Sequence, residues 1–428
     1  MKTVGVVVEY NPFHNGHAYH LAEAKRVSGA DAVVAVMSGH WLQRGEPAVM
    51  NKWARAETAL LAGVDLVLEL PVAYSTQPAE WFAYGAISVL ESTGVVDAVC
   101  FGSESGDAGP LIELASVVRD EPERFQAALQ EELKRGVPYP AAYSAAAARY
   151  APGPAARLIA EPNNSLGFHY ILAMLRMNSR MQPLTIRRVK AGYNQTDVTD
   201  ASIASATALR KLMLEDGGPH MPPTESLRSL APYVPPTTLQ VLLREWEAGR
   251  APLHWERYRA PLFHRLLLQS AQQLSAYREV TEGLEHRLKK ALSSLGAGFS
   301  VERLLDQLKT KRYTRTKLQR MLTSIYLEHP KQTVNARMLR SGAPYLRVLG
   351  FTERGRRLLK RMKTAVSVPV LTRAAERNPP PMLALDIAAT AAYALGLPSA
   401  GGQDALADYY RSPVYIDGGV DGGGSSDK

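Results

Sequence analysis

Two histidines around a glycine, His14-Asn15-Gly16-His17, are the densest chemistry in this 428-residue chain. Imidazoles can donate to phosphate oxygens, and glycine lets a backbone approach an anion closely. Before them runs an apolar stretch with three consecutive valines, Val6 to Val8, and then the turn signal Asn11-Pro12. Proline fixes φ and drives the residue before it out of the helical region, so the strand must end there. A helix-compatible stretch, Ala18 to Val27, follows. Strand, tight turn and helix N-terminus together make an anion site, because free N–H groups and the helix dipole both attract phosphate. The pattern is that of a nucleotide site lacking the G-x-G-x-x-G and Walker A signatures.

Two other clusters suit the same ligand. Ser202 to Lys211 opens a helix with Ser205 and Thr207 near its start and Arg210 one turn later. Hydroxyl and amide donors at a positive helix end, plus a guanidinium, suit phosphate, although single hydroxyls there more often cap. Asn163-Asn164-Ser165 precedes an apolar helix, Leu166 to Met177. One asparagine is good N-cap chemistry, and the other could read a base or ribose, since an amide both donates and accepts. Lys52 and Arg55 lie three residues apart and share a helix face.

These groups need a scaffold that gathers them. Apolar runs at Ala32 to Met37, Val64 to Leu70, Val95 to Phe101 and Leu184 to Val189 read as further strands. Asn51 to Ala62 and Trp81 to Thr93 read as helices between them. Strands separated by helices at this spacing predict an α/β fold with a Rossmann-like parallel sheet. Ligands of such sheets sit outside the strands' carboxyl ends, where His14, His17, Ser38-Gly39 and Gly102-Ser103-Glu104 all fall. Asp216 to Ser226 reads as a linker, and beyond it strand signals disappear while helical periodicity persists. The expected division is therefore 1–216 for an α/β domain, 217–415 for an α-helical C-terminal domain, and 416–428 for a glycine-rich disordered tail.

Composition narrows the class: 46% of residues are apolar and 21% charged. No apolar stretch reaches the roughly 18 to 20 residues that span a bilayer, and the N-terminus lacks a signal-peptide pattern, so no membrane partner and a cytoplasmic address are expected. A lone cysteine, Cys100 in an apolar run, excludes a disulfide framework and a cysteine-rich zinc site, and no metal ligand set stands out. The net charge of +9 is concentrated, for residues 301–364 hold 17 Lys and Arg against 4 Asp and Glu. Lys309, Lys311, Arg312, Arg315, Lys317 and Arg320, with Tyr313 interleaved, suit the phosphates and bases of folded RNA. Solvated helix faces would give the same composition.

His14 to His17 fits the (H/T)-x-G-H signature, and Ser205-Ala206-Thr207-Ala208-Leu209-Arg210 resembles the second motif, S-[ST]-T-x-I-R, of the nucleotidyltransferase superfamily. The wider match is closer. Glu9 to His17, Gln43 to Ala48, Phe101 to Glu104, Glu161 to Gly167 and Tyr313 to Arg320 resemble the tRNA(Met) cytidine acetate ligase family. The resemblance implies that ATP and acetate give acetyl-adenylate, and that the acetyl group passes to N4 of the wobble cytidine of elongator tRNA(Met). It implies ATP binding by Val7, Val8, Glu9, Tyr10, Asn11, Pro12, Phe13, His14, Asn15, Gly16, His17, Ala18, Tyr19 and His20, by Gly102, by Asn163 of the asparagine pair, and by Arg188, with Ser205, Thr207 and Arg210 from the second motif. His14 and His17 would be catalytic, stabilising charge at the α-phosphate, with Mg²⁺ assisting. Arg188, Arg210 and either Lys52 or Arg55 would hold the outer phosphates. Lys311, Arg312, Arg315, Lys317 and Arg320 would bind tRNA. Two other readings stay open: a small-molecule adenylyltransferase with the same H-x-G-H core, and a non-catalytic RNA-binding protein.

Overall fold

The computed structural model describes residues 1–137, 139–150, 158–188, 204–215, 223–296, 298–374 and 379–417. The valine-rich opening forms β1, Thr3–Val8, with both faces covered, which is why its sequence shows an apolar run rather than alternation. Beside it lie β2, Ala32–Ser38, and on the other flank β4, Ala98–Ser103. With β3, Leu66–Leu70, and β5, Gln182–Arg187, these strands are all parallel, in the order β5-β4-β1-β2-β3. Successive connections reverse direction between β1 and β4, and a crevice opens there beyond the strand ends.

Helices cover both faces. On one side α1, Asn15–Ser28, and α2, Lys52–Leu61, pack Leu21, Ala24, Ala56 and Leu60 onto Val4, Val6, Val33 and Ala35. On the other, the helices Ala79–Ser92 and Pro162–Arg176 place Phe82, Leu90, Phe168 and Ile171 against Val34, Val99 and Phe101.

Strands do not cease after residue 216. β6, Leu346–Thr352, runs antiparallel against β3, and β7, Val370–Leu371, and β8, Val414–Ile416, both pair parallel with β6. Among the described residues the sheet thus has eight strands, three of them from the part expected to be helical. Their signals are weak for a physical reason: β6 carries Arg347 and Gly350 within seven residues, and β7 and β8 are two and three residues long. Among the described residues the rest of that part is mostly helical, as expected. Boundaries also shift, with β3 and β4 beginning at Leu66 and Ala98 rather than Val64 and Val95. Val189, Ser202, residues 216–222 of the expected linker and residues 418–428 of the expected tail lie outside the described residues, whereas Ile416, expected to open that tail, ends β8.

The loop after β2 ties the helical part to the sheet. Trp41 is fully buried, its Nε1 donates to the Ala389 carbonyl at 3.1 Å, and its ring packs within 5.4 Å of Trp255, Tyr258 and Tyr326. His40 stacks on Tyr393 with ring centroids 4.2 Å apart. Burying such aromatics is worth roughly 1.5–3 kcal/mol per side chain, so this clasp is a substantial share of what holds the two parts together.

Candidate active site

At the end of β1 the chain turns sharply through Tyr10, a non-glycine residue at φ 48°. That left-handed conformation costs about 1–2 kcal/mol, so its surroundings must hold it. The Tyr10 ring meets Phe13 at 4.7 Å and His17 at 5.0 Å, and Asn11 Oδ1 accepts from the Val49 amide at 2.7 Å. His14 then caps α1: its Nδ1 accepts from the Gly16 amide at 3.0 Å, while His17 Nδ1 accepts from the His14 amide at 3.3 Å. The two imidazoles lie 3.7 Å apart between centroids.

This capping settles the chemistry of the pair. An Nδ1 that accepts leaves the proton of a neutral ring on Nε2, the tautomer being inferred from these hydrogen bonds. Both rings are neutral. Burial, then Arg188 and Arg210, lowers His14 to about 3. Burial, then His14, His20 and Arg188, holds His17 well below the ordinary histidine range. Each ring is therefore an uncharged N–H donor, suited to oxygens whose charge grows during a reaction.

Around the pair is a cavity of about 300 Å³, at the small end of ligand-binding clefts. Of the expected ATP residues it is lined by Val7, Val8, Glu9, Tyr10, Asn11, His14, Gly16, His17, Tyr19, His20, Gly102, Asn163, Arg188, Ser205, Thr207 and Arg210. Pro12, Phe13, Asn15 and Ala18 are not on its wall. Phe13 is buried beneath the Tyr10 and His17 rings. Asn15 moors the start of α1, its amide donating to Tyr233 O at 2.9 Å and its side chain to Pro232 O at 3.0 Å.

The opposite walls follow from caps and ion pairs. Glu104 accepts from the amides of Asn163 at 3.1 Å and Asn164 at 2.7 Å, fixing the helix start beside β4. Asn164, fully buried, accepts the Glu104 amide at 3.0 Å and so locks the loop, whereas Asn163 lines the cavity and accepts from Arg188 at 2.8 Å. Arg210 donates to the Asn11 carbonyl at 3.1 Å and pairs with Glu46 at 3.0 Å, and Ser205 caps its helix by accepting from Ala208 N at 3.0 Å. Phe101 and Leu166, which lie in the Phe101 to Glu104 and Glu161 to Gly167 motifs but were not singled out, also line the cavity, as do Phe82 and Tyr170, which no motif marked. Their apolar spacing is the same as that of ordinary core positions. Gln43, Arg44 and Glu46 line it too, and the Gln43 to Ala48 motif was the available signal.

Lys52 and Arg55, one of which was expected to hold the outer phosphates, are both buried and neither lines the cavity. Lys52 is fully buried, its Nζ 2.8 Å from both Glu69 and Asp408. Arg347 joins Asp408 at 3.1 Å. Arg55, also fully buried, donates to the carbonyls of Glu9 at 2.6 Å, Ser38 at 3.0 Å and Gly39. Both cations hold strand ends in place. Glu69, a charge inside the apolar run of β3, was the sequence sign of a buried partner.

Of the basic residues, Lys311 and Arg312 are exposed, and the helix Arg315–Tyr326 carries the others. Arg312 pairs with Glu282 at 2.8 Å, Arg315 with Glu302, Lys317 with Glu279 at 2.9 Å and Arg320 with Glu279 at 3.7 Å. The Arg312 and Arg315 pairs are exposed and exchange readily for other anions, whereas Lys317 and Arg320 share Glu279, a largely buried carboxylate. Gly45, at φ 73°, packs against the backbone of this helix: a Cβ there would lie 2.3 Å from Arg320 N. The loop from Gln43 to Glu46 therefore touches the cavity on one side and the basic helix on the other. Cys100 is buried, its thiol pushed up to about 12 by burial and by Glu23, which removes it as a nucleophile. Among the described residues, no three His, Cys, Asp or Glu side chains converge to hold a metal.

A parallel sheet with its pocket at the β1/β4 crevice and an H-x-G-H turn capping α1 defines a nucleotidyltransferase of the H-x-G-H class, and residues 1–407 match the family described as HIGH Nucleotidyl Transferase. Within that class, the chain belongs to the tRNA(Met) cytidine acetate ligase family. The protein of that name from Halalkalibacterium halodurans is 41% identical over 422 residues, covering 97% of this chain and 98% of its own. That from Bacillus subtilis is 39% identical over 424 residues, with 97% and 98% covered. The crystal structure of Thermotoga maritima TmcAL bound with alpha-thio ATP is similar at TM-score 0.87 and 35% identity, covering 97% of this chain and 100% of that one.

Proposed function

We propose that this chain joins acetate to ATP as acetyl-adenylate, releasing pyrophosphate, and passes the acetyl group to N4 of the wobble cytidine of elongator tRNA(Met), giving N4-acetylcytidine. The observation that carries the reading is one cavity holding two neutral imidazole donors, Arg188 and Arg210, whose Gln43–Glu46 wall rests on a basic helix. In the first step an acetate oxygen attacks the α-phosphorus. His14 and His17 donate to the phosphoryl oxygens as their charge grows, and no protein nucleophile is needed. Arg210 exchanges Glu46 for the outer phosphates, and Arg188 and Asn163 orient the nucleotide from the β4 side. Pro12, Phe13, Asn15 and Ala18 support the turn, while the residues of the set that line the cavity contact ATP.

Magnesium would enter on the nucleotide's own phosphates, as that ion usually does, and the protein's part is to position those phosphates. In this reading residues 1–216 supply the nucleotide side. Residues 217–415 supply the tRNA side, with Lys311, Arg312, Arg315, Lys317 and Arg320 on RNA phosphates. Its working place would be the cytoplasm, where tRNA is, and no described helix is long and apolar enough to cross a membrane.

The test is mass spectrometry of tRNA(Met) nucleosides after incubation with the protein, ATP and acetate. Acetylcytidine at the wobble position, dependent on all three, is the expected result. Its absence with protein that binds ATP contradicts the reading, and tRNA-independent transfer of AMP to a small molecule would favour an adenylyltransferase instead.

A further inference from the structure

Acyl transfer to an exocyclic amine has a second requirement. When N4 attacks the acetyl carbonyl the nitrogen becomes acidic, and a base must take its proton. Such a base presupposes the acetyl transfer proposed for this cavity, which offers few candidates. His14 and His17 cannot serve: each Nδ1 already accepts a backbone N–H, and each Nε2 carries a proton. Glu46 is released from Arg210 only while the outer phosphates are bound, and once pyrophosphate has left, before acyl transfer, it is again the partner of Arg210 at 3.0 Å. His20 lies toward Gly102 and Arg188, with Nε2 enclosed, and the Tyr10 hydroxyl is enclosed as well.

Glu9 is left. It follows the last residue of β1 and lines the cavity next to the histidine turn. Its main chain is pinned by Arg55, which donates to the Glu9 carbonyl at 2.6 Å, and by the constrained turn at Tyr10. One carboxylate oxygen, Oε1, accepts from the Gln43 amide at 2.7 Å and stands 3.5 Å from the Ser38 hydroxyl. The other, Oε2, accepts from no described residue, so the carboxylate is held by one oxygen and presents the second. Burial makes it a stronger base than an ordinary glutamate. The Gln43 amide opposes that, Glu46 adds to it, and Arg44 and Arg210 oppose it. Arg55 also faces it, and the neighbouring His14 and His17 are neutral.

We propose that Glu9 is the general base of the acyl-transfer step. The N4–carbonyl carbon bond forms, the carbonyl carbon–oxygen bond to AMP breaks with its electron pair leaving on AMP, and the N4 proton passes to Glu9 and then to water. Atoms and charge balance without a further reactant. The loop that holds Oε1 is the one resting on Arg320, so the base stands on the wall nearest the basic helix.

Single-turnover transfer from preformed acetyl-adenylate to a tRNA(Met) transcript isolates the step. In Glu9→Gln, transfer should fall about 100-fold or more, the usual range for loss of a general base, with adenylate formation at saturating ATP and acetate, where a weakened nucleotide contact no longer limits it, falling far less. The rising acid limb of the transfer pH profile should vanish with it, and Glu9→Asp should restore part of the rate together with that limb. Transfer at the wild-type rate, or equal losses in both half-reactions, overturns the assignment. Wild-type protein that makes no acetyl-adenylate would instead overturn the acetate-ligase reading on which the assignment rests.

Discussion

Two sets of cations stand beside the strands of one sheet, and they behave differently. Lys52 and Arg55 are wholly enclosed, bound by Glu69 and Asp408 or by carbonyls of the strand ends. Arg188 and Arg210 face the cavity, and their partners, Asn163 and Glu46, face it too. From sequence Arg188 and Arg210 were expected to hold phosphates through the family motifs, and Lys52 or Arg55 as a third cation beside them. What separates them is whether an incoming anion can replace the partner. A cation whose counter-charge is sealed in the core is architecture, and one whose counter-charge is at the cavity wall can bind a ligand.

Acid should act on both regions and most strongly. Burial lowers His14, His17, His20, His40, His169 and His329 from their ordinary value of 6.5. Because the folded pKa lies below the unfolded one, the unfolded chain binds more protons below pH 6.5. Stability is therefore complete above that pH and lost as pH falls toward 4, at up to about 1.4 kcal/mol per pH unit for each histidine kept neutral. Urea unfolding followed from pH 7.5 to 5 should show the midpoint falling steeply. A flat midpoint would mean these rings are charged in the fold.

Lys52→Met separates the two regions. It strands Glu69 and Asp408 in the core and should cost about 3–5 kcal/mol in denaturant unfolding. ATP affinity of the protein that remains folded should change little. A large loss of ATP affinity with no loss of stability would place Lys52 among the ligands. Arg210→Ala is the converse: ATP binding by calorimetry should weaken by about 1.5–3 kcal/mol, the worth of charge-assisted hydrogen bonds, with a much smaller effect on stability. Smallest is the effect of changing Lys311, Arg312 and Arg315 together to serine. The salt slope of tRNA binding should drop by about 2, while ATP affinity, set by a cavity that none of these three side chains lines, stays within about twofold. Equal losses of both would indicate a damaged fold.

Most of the parallel sheet was legible because its strands are apolar runs between helices and end in glycine, proline or serine. The histidine turn was legible because strand, proline, glycine and helix follow one another at the spacing that the geometry needs. β6 was not, since Arg347 inside it answers a carboxylate, Asp408, that lies 61 residues further on. The fate of Lys52 was hidden for the same reason: its partner Asp408 is 356 residues away, and burial of a lysine depends on tertiary pairing that no local pattern encodes. Trp41 likewise acquires its clasp only when Trp255, Tyr258 and Tyr326 arrive around it.

The central claim is that the cavity at the β1/β4 crevice activates acetate with ATP. Exchange of labelled pyrophosphate into ATP, measured without tRNA, tests it most directly. Exchange should require acetate and fall at least 100-fold in His17→Ala, measured on protein that unfolding shows to be still folded under the assay conditions. Exchange that proceeds without acetate, or that survives loss of His17, would contradict it.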